Sequence, residues 1–191
     1  MDGVFRCEVN SGLGTTDGQV PNDGPPAGTH RIAYPASVSA CVTTEFPGTD
    51  FCTGVYTATS LVVTKLDTST SAPLYTYLRF DLDSAFTTVA AVTLQMTALD
   101  TAQAASDQSG TVWQADPFTQ QSLDQTFPGK TTMAVLATDR GTVMKGAVVE
   151  WSLASSLAAA NGVLYLELES ASTNNVIYDK SAPPTLLIDV Y

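Results

Sequence analysis

Four carboxylates occupy positions from which paired acids could catalyse glycoside hydrolysis. They form two pairs, Asp81 with Asp83 and Glu167 with Glu169. Glycosidases place two carboxyl groups on either side of the scissile bond. Here each pair takes alternate positions of a strand-like segment, where polar side chains simply face water. The chain has one histidine, His30, and no Gly-x-Ser-x-Gly motif, so a serine triad has no candidate nucleophile either. We therefore expect that the protein is not an enzyme.

Ligand binding through aromatic side chains is a stronger expectation. Tyr75, Tyr77 and Arg79 share one face of an alternating segment, and Tyr165 and Glu167 share a face of a second one. Tyrosine combines an apolar ring with a polar tip, which suits contact with a sugar. These five residues are candidate ligand contacts, and the alternative is a solvated or interface-packed outer face. The net charge of −11 opposes an acidic polysaccharide and favours a neutral glycan or a calcium-bridged contact.

Metal ligands are sparse in the sequence. Asp50, Asp81 and Asp83 offer the oxygen ligands that calcium prefers, although their spacing is not diagnostic of a calcium loop. A single histidine and the lack of any Cys-x-x-Cys make a zinc site improbable. Calcium is therefore left open, and no other cofactor is expected.

The cysteines predict an oxidising environment. Cys41 and Cys52 flank a short loop that Pro47 and Gly48 bend, and this arrangement predicts a disulfide. Closing such a loop contributes roughly 3 kcal/mol in the chain-entropy model. The alternative is a pair of reduced, buried thiols. Cys7 is the odd cysteine, and it can pair between chains or simply pack. A disulfide places the protein outside the cell or on the cell surface.

Charge and hydropathy exclude several classes of partner. The 8 basic residues are scattered among 19 acidic ones, so neither nucleic acid nor an anionic lipid surface is expected. Charged residues make up only 14% of the chain, against about 25% in typical domains. The polar surface must then come from Thr, Ser, Asn, Gln and Gly, which suits an extracellular β-protein. No apolar run approaches the ~20 residues of a membrane-spanning helix.

The alternation that places these side chains also predicts the architecture. Residues 75–83 alternate strictly between apolar and polar, as a strand with one buried face does. Many short strands with polar turns predict an all-β fold, an antiparallel two-sheet, jelly-roll-like β-sandwich. One short helix is expected over residues 152–161, between a Ser cap and an Asn-Gly stop. The predicted core consists of Leu78, Phe80, Leu82, Leu94, Met96, Leu164, Leu166, Leu168, Leu186 and Ile188.

Three regions divide the chain. Residues 1–10 read as a strand-like arm in which Val4, Phe5, Cys7 and Val9 supply apolar side chains. Residues 11–30 are rich in Gly, Pro, Asp and Asn and read as a linker. The β-sandwich domain takes up residues 31–191.

One segment resembles a known family. Residues 77–82, Tyr-Leu-Arg-Phe-Asp-Leu, resemble the "yLRFDLs" strand of the disaggregatase-related (DNRLRE-type) β-sandwich repeats, which are similar to alginate-type carbohydrate-binding modules. An Ala-x-x-Leu strand at 91–94, Trp113 and a proline-bearing loop follow in the same order. A short helix, an alternating Leu strand and a Tyr-Asp-Lys-Ser…Pro-x-Leu segment at 178–186 complete the likeness.

The likeness covers about residues 31–191 and departs from the family pattern in two places. Phe118 and Phe127 stand where the long loop of the family carries a Trp-rich patch, and a cysteine loop follows the first strand. The resemblance implies a secreted or surface β-sandwich, often in tandem, that binds polysaccharide or builds envelope structures.

Two functions stay open at this point. The first is a non-catalytic extracellular structural or adhesive subunit that assembles with copies of itself on the cell surface, as a filament joined through the N-terminal arm. The second is a carbohydrate-binding module that recognises a cell-wall or matrix polysaccharide. The strand-like arm favours the first function, and an appended catalytic domain would favour the second.

Overall fold

The computed structural model describes residues 24–43, 60–64, 73–83, 86–123, 125–158 and 162–191, with the backbone alone for 130–134. Its strands are β1 (His30–Pro35), β2 (Val38–Val42), β3 (Ser60–Val63), β4 (Tyr75–Leu82), β5 (Val89–Thr97), β6 (Thr111–Ala115), β7 (Lys130–Ala137), β8 (Val148–Leu153), β9 (Gly162–Glu169), β10 (Val176–Asp179) and β11 (Thr185–Val190). A short α-helix, α1 (Gln120–Leu123), and two 3₁₀ turns (Ala102–Ala104 and Ser155–Ala158) complete the elements.

The strands form antiparallel sheets, which confirms the predicted all-β sandwich. One sheet has five strands in the order β2-β4-β9-β6-β7, and another has four in the order β1-β11-β5-β8. A third sheet pairs β10 with β3, and it was not predicted. The isolated bridges Thr64–Leu74 and Ala98–Tyr178 connect this small sheet to β4 and β5. The third sheet thereby adds to the same hydrophobic core.

The main core lies between the sheets and matches the prediction. All ten predicted core residues are buried, because each sits on the inward row of its strand. Trp151 and Tyr178 are the largest additions, and both are fully buried. Each has a polar atom that bonds to backbone: Trp151 Nε1 donates to the Gly110 carbonyl at 3.0 Å, and the Tyr178 hydroxyl donates to the Ser109 carbonyl at 2.7 Å. Both polar atoms are therefore buried in the core with a hydrogen-bond partner.

Within the predicted helical range 152–161, the described residues form a 3₁₀ turn, Ser155–Ala158. Ser152 and Leu153 instead pair with Thr93 and Val92 at the end of β8. Local capping signals favoured a longer helix, but the sheet pairing of β8 uses these first residues. The first described strand, β1, begins at His30, one residue before the predicted start of the β-sandwich domain. The N-terminal arm and residues 11–23 lie outside the described residues.

Candidate functional site

The outer face of the five-stranded sheet carries the predicted ligand contacts. The register pairs Tyr77 with Glu167 and Arg79 with Tyr165, so side chains from β4 and β9 form rows across the sheet. On β6, Trp113 extends the row of Tyr77 and Glu167. The five predicted residues therefore share one face of two neighbouring strands.

This face is not a solvated surface at its centre. Tyr77 and Glu167 are both fully buried, at 0% exposure, whereas Tyr75, Arg79 and Tyr165 are half-buried. The cover is the segment between β6 and β7, whose Phe118 packs edge to face on Tyr77 at 5.5 Å between ring centroids. Tyr77 and Glu167 are thus packed beneath a long loop, and their predicted role as ligand contacts stays a prediction.

The covering loop is held at its two ends and in its middle. Its ends meet where the Asp116 amide donates to the Gly129 carbonyl at 2.9 Å. Before and inside α1, the Thr119 amide donates to Ser122 Oγ and the Ser122 amide donates to Thr119 Oγ1, at 2.8 and 3.1 Å. This reciprocal capping stabilises the single helical turn that buries Leu123.

A second, smaller core results between the loop and the sheet. Its buried members are Ala40, Val42, Tyr77, Ala115, Phe118 and Leu123. Phe127 packs edge to face on both Tyr75 and Tyr77, with ring centroids 5.3 and 5.7 Å apart. Phe118 makes the same kind of contact with Tyr165 at 5.1 Å. Phe118 and Phe127 therefore serve as internal packing between the loop and the sheet.

The Tyr77 hydroxyl links the loop to the sheet. It lies 2.9 Å from the Pro128 carbonyl oxygen and 2.8 Å from Glu167 Oε2, and its one proton serves one of these acceptors at a time. Burial, followed by the neighbouring Glu167 carboxylate, raises the pKa of Tyr77. The phenol therefore stays protonated at physiological pH and acts as a structural donor.

An open groove remains on the same face where the loop does not reach. It has a volume of about 350 Å³ and is lined by Pro73, Tyr75, Thr111, Trp113, Glu169, Ser170 and Ala171. Thr111 is paired with Glu169 on one side of β9. On the other side, the antiparallel pairing of Thr76 with Leu168 brings Tyr75 next to Glu169. Tyr75, Glu169 and Thr111 thus form one row across β4, β9 and β6, with Trp113 beside it.

Neighbouring residues contact two opposite sides of the groove. Phe127 contacts the Tyr75 ring from the loop side. At the opposite rim, Gln108 Oε1 accepts hydrogen bonds from the Ala171 amide at 3.0 Å and from the Ser170 hydroxyl at 3.3 Å. The Tyr75 ring and the rim are consequently held in place by neighbouring contacts.

Sequence reasoning missed Trp113 and Glu169 as site residues. Glu169 continues the outward alternation of Tyr165 and Glu167, so its direction could be read from the sequence. The proximity of Trp113 could not, because it depends on β6 lying beside β9 although about fifty residues separate them.

The calcium candidates do not converge. Arg79 holds Asp81 through hydrogen bonds of 2.9 and 2.7 Å, while Asp83 accepts a hydrogen bond from the Tyr34 hydroxyl at 2.6 Å. Hydrogen bonding by Ser37, together with Arg79, lowers the pKa of Asp81. Across the part of the chain that the structure describes, no three His, Cys, Asp or Glu are grouped to hold a metal ion. Asp50 lies outside that part.

Of the two cysteines in the predicted disulfide, the structure describes only Cys41. Cys41 lies in β2, is fully buried, and its Sγ accepts a hydrogen bond from the Val62 amide at 3.0 Å. Cys52 and Cys7 lie outside the described residues, so the Cys41–Cys52 pairing stays a prediction.

No protein-family model matches the chain, and no curated protein matches it either. The likeness to DNRLRE-type repeats therefore stays a prediction that rests on the motifs of the sequence. Among the helices of the described ranges, none is long and apolar enough to span a bilayer.

Proposed function

We propose that this chain is a non-catalytic extracellular carbohydrate-binding module that holds a glycan in the groove between Tyr75 and Trp113. The groove itself carries the proposal: two half-exposed aromatic side chains and a carboxylate lie on three neighbouring strands. Aromatic rings offer apolar faces to the C–H side of a sugar, and Thr111 and Glu169 offer hydrogen-bonding groups to its hydroxyls. A volume of about 350 Å³ falls within the usual ~300–1,000 Å³ of small-molecule sites.

Charge favours a neutral glycan as the ligand. The chain carries a net charge of −11, and Glu169 lines the groove itself. A uronic acid polymer would meet repulsion from both, whereas a neutral polysaccharide would not. We therefore expect a neutral glycan as the ligand, in contrast to the alginate-type ligands that the family resemblance implies.

The supported walls favour binding over catalysis. Binding carries a smaller ordering cost where the groove is already held, as Tyr75 is by Phe127 and the rim is by Gln108. Of the acids considered for hydrolysis, Glu167 is buried, Asp81 is engaged by Arg79, and Asp83 is engaged by Tyr34. This arrangement supports a non-catalytic module, and calcium has no assigned role in it.

Glycan binding can be tested with two groove variants and one control. We expect a neutral oligosaccharide to bind with micromolar affinity by isothermal titration calorimetry, after selection on a glycan array. Trp113→Ala and Tyr75→Ala should each weaken binding at least about tenfold, as the loss of an aromatic anchor does. Tyr191→Ala removes an exposed aromatic ring outside the groove and should leave affinity unchanged. Equal binding by all four proteins would contradict the assignment, and release of new reducing ends would contradict the non-catalytic role.

Self-assembly on the cell surface is the second proposed function. The observation that favours it is that β8 is the outer strand of the four-stranded sheet, with no further strand of the described ranges paired to it. The arm residues Val4, Phe5, Cys7 and Val9 lie outside the described residues, so support for this function comes from the edge and from the alternation of the arm in sequence.

A further inference from the structure

The strand β8 is a regular sheet edge. Six consecutive residues pair with β5, from Val148 opposite Thr97 to Leu153 opposite Val92, without any shift of register. On its other side, no strand among the described ranges pairs with it. Such an edge presents a row of backbone N–H and C=O groups that can accept one more strand.

Two other sheet edges are less suited to accept a strand. The pairing of β7 with β6 has two shifts of register, around Trp113, and bulges of this kind blunt an edge. On the opposite side of the sandwich, Ala36 and Ser37 join β1 directly to β2. There the Ser37 amide donates to the Arg79 carbonyl at 2.8 Å, which closes that corner.

A cleft opens between β8 and β7, at the uncovered side of the main core. Its volume is about 360 Å³, and its lining is Val135, Leu136, Ala137, Thr138, Arg140 and Ser152. Leu136 and Ala137 pack against the main core but are only half-buried. Val135, which lines the cleft, is 42% exposed, and so is Val148 on the outward row at the start of β8. Apolar surface and an unpaired strand edge therefore coincide at one place.

We propose that β8 accepts residues 4–9 of a second copy of this chain as an added strand. In that segment Phe5, Cys7 and Val9 alternate with Arg6 and Glu8. When the apolar row faces the cleft, it covers the half-buried side chains of β7, and the charged row faces solvent.

Charge complements this orientation. The outward row of β8 includes Glu150. Arg6, on the outward row of the incoming strand, thus meets a group of opposite sign, which favours this face of the arm over its reverse.

The position of the arm favours a second copy over the chain's own β8. The described chain begins at Gly24 and enters β1, which is the edge of the four-stranded sheet opposite β8. To reach its own β8, the linker would have to cross β11 and β5. The outer face there carries the Arg31–Asp189 ion pair and the Gln95–Glu150 hydrogen bond, so the linker would lie over charged and polar groups.

If the arm binds a second copy instead, the linker runs from β1 of its own chain to β8 of that copy. A flexible linker of about twenty residues has a root-mean-square reach of roughly 25 Å, which spans such a junction. Donor and acceptor surfaces then differ, so the contact is head to tail and extends into an open chain of subunits. The inference rests on the self-assembly proposed above and is independent of glycan binding.

Disulfide trapping between two single variants tests the inference. One protein carries Glu8→Cys and the other carries Val148→Cys, both in a Cys7→Ser background that removes the native arm thiol. We expect a covalent heterodimer on oxidation of the mixture. The matched control replaces Val148→Cys by Val163→Cys, since Val163 is also an exposed valine, at 41%, but lies on β9 away from the cleft. The control should form heterodimer at least about tenfold more slowly.

A second measurement separates the acceptor site from self-assembly in general. The full chain should form multimers in light scattering, and deletion of residues 1–23 should yield monomers that still bind glycan as the full chain does. Multimers that disappear on deletion without a Val148→Cys heterodimer would overturn β8 as the acceptor while leaving self-assembly in place. Equal trapping at Val163→Cys would also overturn the inference. A link that forms only within one chain carrying both Glu8→Cys and Val148→Cys would show that the arm returns to its own β8.

Discussion

Replacing Tyr77 by Phe tests the conclusion that the outer face of the five-stranded sheet is covered by a loop. The substitution removes one hydroxyl and keeps the ring, whose edge-to-face contacts with Phe118 and Phe127 lie at 5.5 and 5.7 Å. It therefore separates the polar link between loop and sheet from the packing. If Tyr77 instead faced a ligand from the surface, its hydroxyl would contribute little to stability.

The expected cost follows from the partners of the hydroxyl. It lies 2.8 Å from Glu167 Oε2 and 2.9 Å from the Pro128 carbonyl oxygen, in a fully buried environment. Hydrogen bonds to charged groups contribute about 1.5–3 kcal/mol, and buried acceptors that lose a donor cost a similar amount. Tyr77→Phe should therefore lower the free energy of unfolding by about 1.5–3 kcal/mol.

Chemical denaturation of Tyr77→Phe beside Tyr165→Phe gives the comparison. Tyr165 lies on the same face, is half-buried, and its hydroxyl makes no hydrogen bond within the described part of the chain. Its loss should change stability by less than about 0.5 kcal/mol, as for ordinary surface substitutions. Equal, small effects of the two substitutions would refute the reasoning.

Three further outcomes are expected. Phe80→Ala should lower the free energy of unfolding by about 3–5 kcal/mol in chemical denaturation, because Phe80 is fully buried in the main core; a loss under about 1 kcal/mol would contradict its inward placement. Alkali should destabilise the protein, since burial raises the pKa of Tyr77 and Tyr178 in the folded state above the ~10 of the unfolded chain. The stability is fully present below about pH 10 and falls above it by up to ~1.4 kcal/mol per pH unit for each tyrosine, and Tyr178→Phe should reduce that slope. Mass spectrometry of unreduced, natively exported protein should find Cys41 linked to Cys52, and two thiols there would remove the disulfide argument for export.

The alternation of apolar and polar residues predicted well which side chains face the core. Leu78, Phe80 and Leu82 lie on the core side of β4 because a strand repeats its orientation every second residue. That rule is local, so it needs no knowledge of the neighbouring strands. The third sheet was missed because it pairs β3 with β10, two segments far apart in the chain, and local alternation does not say which strands pair.

Which of the outward-facing side chains are covered by other segments could not be predicted in the same way. Whether Tyr77 faces solvent depends on Phe118 and Phe127, which lie about forty and fifty residues further along the chain in a loop without periodicity. The groove depends on Trp113 and Glu169 meeting through the pairing of β6 with β9. Such long-range neighbours follow from sheet order, which local patterns do not determine.

Tryptophan fluorescence during glycan titration tests the central claim most directly. The chain has two tryptophans: Trp151 is fully buried in the main core, and Trp113 is half-exposed in the groove. A ligand in the groove should therefore change the emission of Trp113 alone. The account predicts a saturable change with a neutral oligosaccharide, which is lost in Trp113→Phe and kept in Trp151→Phe. A change that persists in Trp113→Phe, or saturable binding without any change in emission, would contradict a glycan site between Tyr75 and Trp113.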